Sequence, residues 1–358
     1  MNFTKSRLSK LRQELSKRNL DGLYVTNLTN VRYLTGFTGS AGQALFLPGS
    51  QHFFSDTRYD IQSKEEVKDF DIHMIEDSYI KTIEKLKLLN SPLKIGFESI
   101  NMVVFLFKSL NKKLPNIDWQ PTENIIEIIA AVKDIEEIRT LKEAVEITDK
   151  VFENLIPDIK IGATEKEISA KLSYLIKKLG GEKDSFDPIV ASGVNSALPH
   201  ARPSDKKLES GDFVVMDFGA KYDGYHADMT RTVLVGEVTD KHREIYDIVL
   251  KSNRAGIKKA KAGITGAELD KVCRDVITKA GYGKEFCHST GHGIGLEVHS
   301  HPRVSKINKE PLLENYVVTI EPGIYIPDWG GVRIEDDCWI KKDGCEVLNR
   351  SMKELIIL

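Results

Sequence analysis

Apolar residues recur along this chain at two different periods, and the period changes with position. Near the start, Leu8, Leu11 and Leu15 stand at helical spacing, which predicts an amphipathic helix packed on a domain. "DGLYVTN", "QALFLPG", "HFFSDTRY" and "LKIGFES" are short apolar runs bounded by turn residues, and they predict strands. "SYIKTIEKLKLL" lies among them with a helical period. Elements in that order predict a small α/β domain. The pattern then turns helical from about Asp134 to Leu155, with acidic residues early. That change sets a boundary between Gln120 and Lys133, and so domains at 1–125 and 126–358. Thr164-x-x-Glu167 reads as a capping box opening a further helix, and Gly180-Gly181 as its stop. No short repeat is evident.

Two later segments alternate like hairpins and place acids where core residues belong. In "GDFVVMDFGAKYDGYHADMTRTVLVG" the turn falls on Lys221–Gly224. If Ala220 pairs with Tyr225 across a four-residue loop, Asp217 lies opposite Asp228, with Cβ atoms about 4.5–5.5 Å apart. In "YVVTIEPGIYIPDWGGVRIEDDCWI", Glu321 and Glu335 are symmetric about Asp328, so a wide hairpin brings them together as well. Like charges so placed require either a protonated member or a bound cation. For one pair alone, a hydrogen-bonded turn acid explains as much. Two pairs, together with "CHSTGHGIGLEVHSHP" at 287–302, favour a site.

Composition narrows the options. A chain of 358 residues is long for one core. A net charge of −2 gives no reason to expect nucleic acid or an anionic membrane as partner. No apolar run approaches the length of a membrane span, and the N-terminal segment has no apolar stretch of the secretory kind. Four cysteines without a C-x-x-C pair suit reduced thiols in the cytoplasm. Four carboxylates balance two divalent cations, with one imidazole as a neutral ligand. The oxygen-rich donor set favours Mn²⁺ and leaves Co²⁺, Zn²⁺ or Fe²⁺ compatible. Such a pair, about 3.5–4 Å apart, polarises a carbonyl and activates water.

The ordered set "VVMDFGA", "HADMTRT", "STGHGIGLEVH", "TIEPGIYIP" and "GGVRIEDD" resembles the dinuclear metallopeptidases of the pita-bread fold, which include methionine aminopeptidase, aminopeptidase P and prolidase. The resemblance implies an α/β N-terminal domain ahead of an α+β pita-bread catalytic domain. It also implies five metal ligands, Asp217, Asp228, His292, Glu321 and Glu335. Gly291 and Gly293 would let the backbone approach the metals closely. His200 and His299 match the family's catalytic pair, Glu321 its proton shuttle, and His288 a position beside the site. Arg333 either orients the site or simply pairs with an acid across a strand. Ser300 departs from the family, which usually has an acid after the histidine of "VH". His301 has no assigned role, and His52, His73, His226 and His242 read as solvent-facing or local, His226 least clearly.

Within that group, "NVRYLTGFTGSAG" and "SDTRYDIQS" look more like aminopeptidase P. The main reading is therefore an Xaa-Pro aminopeptidase acting on short peptides with proline second. Arg303 points the other way, since some prolidases hold a dipeptide carboxylate with an arginine there, so an Xaa-Pro dipeptidase is the alternative. A non-catalytic interaction module of the same fold ranks lower, because its ligand set is usually lost. Relatives use the N-terminal domain to form a homodimer, in which Tyr33, Phe37 or Arg58 would approach substrate.

Overall fold

Leu8, Leu11 and Leu15 are all buried along one side of helix Phe3–Lys17, the first element of a computed structural model that describes residues 3–358. The chain divides into two compact units, Met1–Ala130 and Ala131–Leu358. Helix Ile125–Ala131 carries the first unit past residue 125, where the change of pattern had placed the boundary.

The first unit is α/β. Its strands are β1 (Gly22–Val25), β2 (Gln43–Leu47), β3 (Ser50–Asp56), β4 (Asp71–Ile75), β5 (Lys94–Glu98) and β6 (Asp118–Thr122). They form one sheet in the order β4-β3-β2-β1-β5-β6. β1, β2 and β3 run as an antiparallel meander, while β4 and the β5–β6 pair join in parallel. Tyr24, Leu45, Phe54, Ile95 and Trp119 fill a core against helices Tyr79–Lys85 and Val104–Lys113.

Tyr33 and Phe37 are 2% and 1% exposed, so they are core residues and not the substrate contacts expected of them. Gly36 ends helix Leu28–Thr35 at φ 81°, a left-handed cap that only glycine adopts without strain. Arg58 is exposed and paired with Asp56 at 2.8 Å. The segments that suggested aminopeptidase P thus divide between core residues, Tyr33 and Phe37, and exposed ones, Arg58 and Ile61.

The second unit is built twice over. Helix pair Ile135–Leu155 and Glu165–Lys178 backs a sheet of Ile189–Ser192, Asp212–Phe218 and Met229–Val235. Pair Asp240–Lys259 and Gly266–Lys279 backs a sheet that includes Gly291–Gly293, Ser300–Val304, Val317–Ile320 and Asp336–Ile340. In each half the second helix opens on Gly-x-Thr-x-x-Glu, with Thr164/Glu167 and Thr265/Glu268 closing capping boxes. The glycines before them, Gly162 and Gly263, share a positive φ. Beyond this short motif, the repeat is visible in the structure and not in the sequence.

The first hairpin corrects the expected register. Tyr222 pairs with Tyr225, leaving Asp223-Gly224 as a two-residue turn with positive φ at both residues. Asp-Gly is the pair that such a turn selects, because its twist matches that of the strands. Asp217 therefore lies opposite Thr230, not Asp228. The slip is two residues, so Asp228 stays on the same side of the ribbon. In the second hairpin Gly323 pairs with Arg333, which keeps the symmetry about Asp328. His52, His226 and His242 are buried and not solvent-facing, and His242 has the local role of closing its own helix's capping box. Among the described residues no helix is long and apolar enough to cross a membrane.

Candidate metal centre

Two strand residues, Asp217 and His292, and three residues between strands, Asp228, Glu321 and Glu335, gather in the second unit. Asp228, His292 and Glu335 offer ligand atoms that all lie within 4.8 Å of one another. His292 Nε2 is 3.6 Å from Asp228 Oδ2 and 3.6 Å from Glu321 Oε1. Its Nδ1 faces the carbonyl of Gly293 at 3.1 Å. Donation there leaves the Nε2 lone pair directed at the carboxylates. Gly291 and Gly293 are required by neighbouring strands more than by the cluster. A Cβ at Gly291 would stand 2.0 Å from Thr319 O, and one at Gly293 would stand 2.1 Å from His301 O.

Each acid is fixed by a partner. Glu335 Oε2 accepts from Thr230 Oγ1 at 2.7 Å, and the Glu335 backbone N–H donates to Thr230 O at 3.1 Å. Glu321 Oε1 accepts from Thr319 Oγ1 at 3.3 Å. The Asp228 backbone N–H donates to Asp337 Oδ2 at 3.0 Å. Asp217 Oδ2 accepts from Arg333 Nη2 at 2.6 Å. Arg333 also donates to Thr230 Oγ1, to the Tyr325 hydroxyl at 2.7 Å and to Pro199 O. It pairs with an acid across the hairpins and by the same bond orients that acid.

The electrostatics show what the cluster lacks. Burial, with the charges of Glu335, Asp217, Asp337 and Glu321 behind it, holds the Asp228 carboxyl well above the carboxylate range. Burial followed by Glu321 and Asp217 does the same to Glu335. Glu321 is pushed up to about 8 by burial, with Arg333 opposing and Asp217 adding to it. Burial, then His299, lowers His292 to about 4, so this imidazole is neutral at pH 7. Asp217 Oδ1 and Asp228 Oδ1 are buried without a hydrogen-bond partner among the described residues. Orphaned carboxylate oxygens, mutual repulsion and a neutral imidazole with a free lone pair fit divalent cations.

The remaining candidates surround this point. His299 packs on His292 with ring centroids 4.3 Å apart. Burial lowers its pKa, Asp217 opposes, and His200 and Arg303 lower it further, which puts both of those residues within electrostatic reach. Arg303 stands directly across the strand pair from His292. His288 Nε2 meets the Tyr325 hydroxyl at 2.9 Å, and its Nδ1 lies 3.8 Å from Glu321. His301 lies on the strand Ser300–Val304, 3.8 Å from Glu310, with Tyr316 against its ring.

Thr230, Thr319, Tyr325 and Asp337 were not anticipated. The signal for two of them was present, since Thr319 and Asp337 each stand two residues from a candidate glutamate on a strand. A further support also went unread. Arg274 grips Asp270 with two bonds and donates to Phe286 O and His288 O, while Asp270 holds Thr290. This clamp fixes the loop that carries His288 and leads into His292.

The profile of metallopeptidase family M24 matches residues 139–342, and that of the creatinase/prolidase N-terminal domain matches residues 7–132. An Xaa-Pro dipeptidase of Pyrococcus horikoshii is 39% identical over 99% of this chain and 100% of its own. The solved Xaa-Pro dipeptidase from Bacillus anthracis is 41% identical with a TM-score of 0.96, covering 99% of this chain and 100% of that one. The X-Pro aminopeptidase from Thermotoga maritima is 39% identical with a TM-score of 0.88, covering 95% and 98%.

Proposed function

The chain belongs to metallopeptidase family M24, with a creatinase/prolidase N-terminal domain ahead of a pita-bread domain, and we propose that it is an Xaa-Pro dipeptidase. The observation that carries the metallopeptidase part is the crowding of Asp228, His292 and Glu335 within 4.8 Å. The dipeptidase part rests on similarity to enzymes of that name and on Arg303. This takes the place of the aminopeptidase reading, because relatives named Xaa-Pro dipeptidase match this chain over nearly its whole length.

In this proposal Asp217, Asp228, His292, Glu321 and Glu335 hold two divalent cations. When bound, these supply Lewis-acid polarisation of the scissile carbonyl and activation of water. The remaining work falls to side chains. The bond before proline is a tertiary amide with no N–H for an enzyme to grip. Recognition must therefore come from the substrate's ends and its carbonyl. Glu321, at the edge of the cluster, passes a proton between water and the leaving nitrogen. His299 and His200 donate to the oxygen that gains charge. His288 and Arg333 meet at the Tyr325 hydroxyl and hold their side of the cluster still.

Arg303 receives the C-terminal carboxylate of the dipeptide. A charge-assisted bond of about 1.5–3 kcal/mol corresponds to roughly 10–100-fold in KM. Arg303→Ala is expected to raise KM for Ala-Pro by that factor and to leave kcat within about twofold. The test pairs steady-state kinetics on Ala-Pro with the same assay on Ala-Pro-Ala. The wild type should cleave the dipeptide and spare the tripeptide. Efficient release of alanine from Ala-Pro-Ala by the wild type would return the assignment to aminopeptidase P.

A further inference from the structure

A second group of metal-type ligands lies in the first unit, on the face of β3 and the edge strand β4. The parallel register sets His52 beside Asp71 and Phe54 beside His73, so His52, Asp71 and His73 share one face. His52 Nδ1 is 3.2 Å from His73 Nε2 and 3.5 Å from Asp71 Oδ2. His52 is 5% exposed, whereas the Asp71 side chain is 68% exposed and free to turn. The His73 ring stacks on Phe54 at 5.1 Å between centroids, which fixes its plane. His52 Nε2 meets the Ser50 hydroxyl at 3.0 Å. Donation to Ser50 leaves the Nδ1 lone pair facing His73, the outer-shell arrangement that orients a ligating imidazole.

The separation of the two nitrogens has a metrical meaning. Two imidazoles on a tetrahedral zinc, with bonds of about 2.0–2.1 Å, place their nitrogens about 3.3–3.4 Å apart. The observed 3.2 Å needs little adjustment to match. Burial lowers the pKa of both histidines, so both present lone pairs at neutral pH. Two imidazoles and one carboxylate form a donor set for a borderline divalent cation. We propose that His52 Nδ1, His73 Nε2 and the Asp71 carboxylate form an auxiliary Zn²⁺ site, separate from the peptidase cluster, that ties the edge strand β4 to β3. Solvent completes the shell on the exposed side.

The competing account is a plain N–H···N bond between neutral imidazoles. Equilibrium dialysis of the full chain against micromolar Zn²⁺, with metal counted by mass spectrometry, separates the two. His73→Gln keeps a hydrogen-bond donor toward His52 and touches nothing in the peptidase cluster. It is expected to bind one zinc fewer per chain than the wild type, with Ala-Pro hydrolysis unchanged as the control for the other cluster. Equal zinc content and affinity in the two proteins overturns the proposal. Should His73→Gln fail to fold, Asp71→Asn on the surface takes its place. The auxiliary zinc should then weaken by about tenfold or more, and an isotherm identical to that of the wild type overturns the proposal.

Discussion

Asp228→Ala abolishes hydrolysis of Ala-Pro, by about three orders of magnitude or more, and removes the tightly bound divalent metal. Asp228 lies within reach of both His292 and Glu335, so its loss takes away an oxygen that no neighbour can replace. What holds the residue in position is its backbone N–H on Asp337, and the substitution leaves that bond intact. The fold therefore survives. The metal-free variant should be at least as stable as the metal-free wild type. The reason is that one member of a mutually repelling buried group has gone, a carboxyl that burial and the neighbouring Glu335 hold well above the carboxylate range. Metal content, kinetics and thermal unfolding of the metal-free proteins check the three parts. A variant that unfolds in the cold would show that Asp228 serves the fold. One that keeps its metal would show that the ion sits elsewhere.

His299→Ala should leave metal content unchanged and cut kcat by about 10²–10³, the usual effect of losing one donor to a developing oxyanion. The ring packs on His292 and is not among the five proposed ligands, so its removal exposes the site without dismantling it. The pH profile gives a second readout. Burial keeps the His299 pKa below that of an ordinary histidine, so in the wild type the ring is neutral through the physiological range. The ring donates in either protonation state, so the variant's loss should extend across the whole profile and not along its acid side alone. Stopped-flow or steady-state assays from pH 4 to 8 would show this. Unchanged turnover would remove His299 from the reaction.

How far the sequence foretold this arrangement depends on the range of the interactions involved. Local rules sufficed for the helices. Thr164 and Glu167 close the capping box that their spacing announced, and Asp134 opens the long helix where the acidic run began. The symmetry of Glu321 and Glu335 about Asp328 needed no more than the alternation of the two strands. The first hairpin was harder, because "KYDG" accommodates either a two- or a four-residue turn. The preference of Asp-Gly for positive φ decided it.

What could not be read was set by pairing between distant strands. Thr230 meets Glu335 across more than a hundred residues, and Asp337 reaches back to Asp228 over a similar interval. Arg333 illustrates the limit. Its two readings, cross-strand partner and orienting residue, turned out to be one bond to Asp217. His52 and His73 read as incidental because nothing local says that β3 and β4 run side by side. Tyr33 and Phe37 misled in the opposite direction, since a motif shared with one branch of a family can reflect a shared core.

The central claim is that acids from two separate hairpins converge with one imidazole to hold a pair of divalent cations. Anomalous diffraction from crystals grown with Mn²⁺ tests it most directly. Two peaks should lie about 3.5–4 Å apart, among the side chains of Asp217, Asp228, His292, Glu321 and Glu335. A map with no peak among these side chains, at a manganese concentration that supports full activity, would contradict the account.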